Sequence, residues 1–139
     1  MGRSAVLAVG LGIGVLAHGL LDVAPHSYPL PSVPDVAIAL AIFVVSVVLA
    51  KREQHLLVLA CFAGAALADL VDLGPEITNR HLGMRLPVVQ VFPWHWHQYS
   101  GSIYDGSRWV QSLIAHFAVV GVSLVLLWRY RRSLFFVEG

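Results

Sequence analysis

The chain has 139 residues, enough for one domain, and 58% of them are hydrophobic while 12% are charged. Soluble domains carry about a quarter charged residues, so a soluble fold this small could not hide its apolar surface, and lipid has to cover part of it. The net charge of +1 leaves no field to draw in nucleic acid, and the single cysteine, Cys61, excludes a disulfide framework within the chain.

The amino terminus begins Met1-Gly2-Arg3 and runs into an apolar stretch that could pass for a signal peptide. The stretch continues through His18 to Leu21, so we read it as an uncleaved first span, at about 4–21. Pro25, Pro29, Pro31 and Pro34 end it and start a second span at about 33–50, rich in Val, Ile and Ala. Lys51-Arg52-Glu53 is a short charged turn, which makes the second span and a third at about 54–73 an antiparallel hairpin. Gly74-Pro75 ends the third, and a fourth follows at about 109–128. The connection 74–108 is too polar to cross a membrane and too aromatic for a plain linker. The expected fold is an all-α, four-helix transmembrane bundle in a single domain, 1–139.

Orientation follows from the cations. Arg3, Lys51, Arg52, Arg129, Arg131 and Arg132 fall on one side of this arrangement, and Arg80, Arg85 and Arg108 on the other. Both termini are therefore expected in the cytoplasm, in the inner membrane, with the long loop outside. Trp94, Trp96, Tyr99, Tyr104 and Trp109 would form an outer aromatic belt, and Trp128 and Tyr130 an inner one.

The same topology sends His18, His26, His81, His95, His97 and His116 to the outer end, leaving His55 at the cytoplasmic side. Asp22, Asp35, Asp69, Asp72, Glu76 and Asp105 join them. His18 and Asp22 are four apart and share a helix face, which Gly10 and Gly14 continue inward. Asp69 and Asp72 lie above Gly64, Ala65 and Ala68 on the third helix, and Arg108, Ser112 and His116 form a series on the fourth. Ionisable groups within spans cost about 2.5–3.5 kcal/mol each at mid-membrane, which makes them functional candidates.

Each group has a plain structural reading beside the chemical one. His18 with Asp22 is either a pair of metal ligands or a hydrogen bond pinning the first helix at the interface. Asp69 with Asp72 binds a cation or pairs with Arg80 or Arg108. Trp94-His95-Trp96-His97, if extended, puts both histidines on one side and both tryptophans on the other. Otherwise it is an interfacial anchor with incidental histidines. Gly10-Leu11-Gly12-Ile13-Gly14 lies within a span with no preceding strand, so it is helix packing rather than a dinucleotide fingerprint. Taken together, a His/Asp cluster from three helices and a loop suits a zinc or dinuclear site.

The run Ala17-His18-Gly19-Leu20-Leu21-Asp22-Val23-Ala24-Pro25-His26 resembles a His-x-x-x-Asp-x-x-Pro-His signature of small membrane-bound metal-dependent hydrolases. Gly64-Ala65-Ala66-Leu67-Ala68-Asp69-Leu70-Val71-Asp72 is similar to a second signature of that group, Gly-Ala-Leu-Leu-Pro-Asp-x-Asp, with Ala68 in place of the proline and the aspartates one residue further apart. His95-Trp96-His97 stands where the group has a His-rich loop. The resemblance implies His18, Asp22, His26, Asp69, Asp72, His95 and His97 as metal ligands. The expected cofactor is a divalent metal, zinc or manganese, with Asp22 or Asp72 as a spare carboxylate for general-base work. The corresponding function is hydrolysis of an amphiphilic ester or phosphoester at the outer membrane face. Two alternatives remain. One is a non-catalytic subunit of a larger membrane complex, or a homo-oligomer, with a structural His/Asp site. The other is a haem-binding electron-transfer subunit ligated by His18 and His116.

Overall fold

A computed structural model describes residues 2–27, 32–105 and 107–135. Pro29 and Pro31, two of the expected helix breakers, lie outside the described residues. The described chain is helical, with five helices: α1 (Arg3–Val23), α2 (Ser32–Leu49), α3 (His55–Asp72), α4 (Gly74–Leu82) and α5 (Trp109–Leu134). Two two-residue strands, β1 (His26–Ser27) and β2 (Ser102–Ile103), pair in parallel with His26 opposite Ser102.

Three stretches are long and apolar enough to cross a membrane, namely Arg3–Val23, Arg52–Asp72 and Trp109–Leu134, while Pro34–Leu49 is a shorter apolar helix. Helix α1 stops where expected: Ala24 turns extended (φ −67°, ψ 142°) because the residue before Pro25 is pushed out of the helical region. Helix α5 runs past the expected boundary at 128. Arg131 lies 4.0 Å over the Trp128 ring and donates from its guanidinium to the Trp128 carbonyl at 2.6 Å, so the basic residues continue the helix.

The connection expected as a loop over 74–108 contains a helix of its own. Pro75 sits in the first turn of α4, where its missing N–H costs nothing, and Gly83 closes the helix in the left-handed region at φ 63°. The Asn79 side chain then clamps Leu86, donating to its carbonyl at 2.8 Å and accepting its N–H at 2.7 Å.

The packing centre is the pair α1–α3. On α1 the buried positions include Gly10 and Gly14, and on α3 they are Ala60, Gly64, Ala68 and Asp72, an unbroken four-residue series. A side chain on Gly14 would collide with the Cys61 carbonyl oxygen, and one on Gly64 with that of Leu11. The backbones therefore touch, which is how helices associate where lipid removes the hydrophobic drive. Helix α2 leans on α3 through Phe43 and Phe62, ring centroids 4.5 Å apart. The α2–α3 turn is tied to the end of α5, with Lys51 N–H donating to the Leu134 carbonyl at 2.9 Å and Ala50 bridging Phe135. At its other end α5 is held by β1: the Ser27 N–H donates to Ser112 Oγ at 2.9 Å, and Ser112 is buried.

Much of α2 and α5 is uncovered. Val48, Phe117, Val125 and Trp128 are each more than two-thirds exposed or close to it. So broad an apolar surface is stable only against lipid or another apolar partner.

Gly14→Leu is expected to force α1 off α3, at an overpacking cost of about 1–3 kcal/mol or more. Gly12→Leu, where nothing lies within 4 Å, is expected to stay within about 0.5 kcal/mol of the parent. Thermal unfolding of the two variants in the same detergent checks this.

Candidate metal centre

Helix periodicity brings His18 and Asp22 to one face of α1, and the close α1–α3 contact sets that face against Asp69. The fourth member comes from the long connection. Residues Pro93–His95 form a 3₁₀ turn rather than an extended strand. The two histidines of Trp94-His95-Trp96-His97 therefore do not share a side: His95 turns inward and His97 opens on a separate pocket with Asp105 and Arg108. There the Ser107 N–H donates to Asp105 at 2.9 Å and holds that carboxyl below the usual carboxylate range.

The turn is seated by aromatic packing and by Asp72. Trp94 stacks on Phe92 at 5.0 Å and fills the space a side chain on Gly19 would need, 2.6 Å from the ring. Trp94 is thus packed against α1. Asp72, 1% exposed, accepts the Val91 N–H at 2.7 Å, the Phe92 N–H at 2.9 Å and the His95 Nδ1–H at 2.8 Å. The last bond fixes the His95 tautomer, leaving the Nε2 lone pair facing away from Asp72 and into the cluster.

Four atoms then converge. His18 Nε2 lies 3.2 Å from Asp22 Oδ2 and 3.3 Å from Asp69 Oδ1. His95 Nε2 lies 3.0 Å and 3.3 Å from the same two oxygens. These separations are short, yet both Nε2 atoms are buried and neither completes a hydrogen bond, because the directions are wrong for N–H···O. Ligands about 2.0–2.1 Å from a tetrahedral ion stand roughly 3.3 Å from one another. The four His–Asp separations are of that size, and all four atoms lie within 4.8 Å of one another. The four side chains His18, Asp22, Asp69 and His95 could hold a metal ion. Behind them Asp72 takes the position of the carboxylate that orients a ligating imidazole.

Of the seven residues implied as ligands, four meet in this group and three stand apart. Asp72 meets His95 on the side away from the cluster. His26 lines the same cavity, but its Nδ1–H donates to the Ala24 carbonyl at 2.8 Å and its Nε2 faces Ser102 Oγ at 3.1 Å. His97 belongs to the neighbouring pocket. His116 lies across the cavity from the cluster, its Nδ1–H donating to the Ser112 carbonyl one turn back at 2.7 Å.

The cavity measures about 590 Å³ and runs between the cluster and α5, whose Val119 and Val120 line it. Gln90, Ser100, Ser102 and Tyr104 complete its polar end. No spacing rule points to these four; they reach the site because the connection folds back, with the Gly101 N–H donating to the Asp22 carbonyl at 2.7 Å.

Elemental analysis of the detergent-purified protein is expected to find about one divalent metal per chain, lost in His18→Ala and in Asp69→Ala but kept in His97→Ala. Asp72→Asn keeps the four converging groups and removes the charge behind His95, so metal affinity is expected to fall about 10–100-fold in competition with a chelator. No protein-family model, curated protein or solved structure matches the chain, so the centre is defined by its own geometry.

Proposed function

We propose that this chain is a metal-dependent hydrolase embedded in the cytoplasmic membrane, acting on an amphiphilic substrate at the outer face. The carrying observation is the pair of buried imidazole Nε2 atoms that converge with two carboxylate oxygens and complete no hydrogen bond. In this reading α2 is the fourth span, both termini are cytoplasmic, and His18, Asp22, Asp69 and His95 hold zinc, with manganese an acceptable substitute. The ion, when bound, polarises the substrate oxygen and acidifies water.

The chain's own groups do the rest. Asp69, whose side chain is 49% exposed, turns Oδ1 to the centre and leaves Oδ2 to take a proton from the attacking water and return it to the leaving oxygen. Asp72 is a positioning residue, not the base, because its oxygens already accept three N–H groups. The apolar wall of Val119 and Val120 would receive the hydrocarbon part of the substrate.

The second reading, an accessory subunit with a structural metal, is favoured by the uncovered faces of α2 and α5. The two separate in one experiment. Protein loaded with zinc or manganese is assayed in mixed micelles against carboxylic esters and phosphoesters. Turnover that disappears with chelator and in His95→Ala is the expected result. Stoichiometric metal with no turnover of either class would leave the accessory reading.

A further inference from the structure

The charge around the cavity bears on which bond is cut. Asp22 and Asp69 together cancel a divalent cation, and Asp72, directly behind His95, leaves one negative charge over. No Lys or Arg lines the cavity among the described residues. Arg108 belongs to the neighbouring pocket, where Asp105 faces it.

Sites that transfer phosphoryl groups surround the anionic oxygens with Arg, Lys or several metal ions. Here a phosphomonoester would bring two negative charges to a surface that already carries an excess of one. A carboxylic ester brings none, and needs only one polarised oxygen at the centre. The rest of the wall suits its acyl chain. Helix α5 contributes His116 to the wall and then Val119 and Val120 about one turn further along, and Leu21 of α1 and Leu73 at the end of α3 also line the cavity. At about 590 Å³ the cavity is in the range that encloses one small ligand.

Resting on the hydrolase reading above, we propose that the cavity selects uncharged, single-chain carboxylic esters and rejects phosphoesters. Water adds to the carbonyl carbon, the acyl C–O bond breaks, and the proton lost by the water leaves on the alcohol. The products are a carboxylic acid and an alcohol, and no oxidant or co-substrate is consumed.

Two readouts test this on the full metal-loaded chain. The first is binding by calorimetry, comparing octanohydroxamic acid, which is neutral in solution, with octylphosphonic acid. The hydroxamate is expected to bind at least tenfold more tightly, and Val119→Trp to remove that binding while the metal content stays unchanged. The second is kcat/KM for 4-nitrophenyl octanoate against 4-nitrophenyl phosphate and bis(4-nitrophenyl) phosphate, corrected with chelated protein. A preference of a hundredfold or more for the octanoate is expected. Equal or faster turnover of either phosphoester, or tighter phosphonate binding, overturns the selectivity and leaves the hydrolase reading standing. Bound metal with no turnover of any of the three overturns both.

Discussion

Contact between the α1 and α3 backbones is the constraint on which the remaining structure depends. Gly14 against the Cys61 carbonyl and Gly64 against Leu11 leave no room for a side chain on either helix. The His18–Asp22 face of α1 is thereby brought within about 3.3 Å of Asp69. Small residues along this contact let the two backbones approach closely, and that approach sets how near His18 and Asp22 come to Asp69. The small residues are therefore part of the site, although none of them carries any chemistry.

The second constraint is polar and lies at the end of α3. Asp72 is buried, and a buried carboxylate is tolerable only when its lone pairs are taken up. The Val91 and Phe92 N–H groups and the His95 ring supply that, and in doing so they anchor the returning connection. One residue thus satisfies a folding requirement and sets a tautomer. Trp94, seated on Gly19, holds the same turn from the apolar side.

The apolar helix α5 supplies the third element. Helix α5 touches the rest of the chain mainly through Ser112 and β1 and is otherwise uncovered. Its looseness creates the cavity, since a tightly packed fourth helix would fill the space before the cluster.

Hydropathy and proline placement were sufficient for the helical class and for the approximate bounds of α1, α2, α3 and α5, because a long apolar run bounded by prolines or charges is visible in the order of residues. Four-residue spacing likewise announced His18 with Asp22, and the small-residue stripes beneath them, because helix geometry fixes which positions share a face. Tertiary structure decided the rest. Whether His95 or His97 turns inward depends on a 3₁₀ turn that local alternation does not reveal. Whether Asp72 faces the cluster or stands behind it depends on which backbone N–H groups the folded connection offers. The wall of α5 and the polar rim at Ser100, Ser102 and Tyr104 come from segments far apart in the chain. Periodicity within one helix is a local property and can be read in order, but a cluster shared by two helices and a turn exists only once their backbones have met.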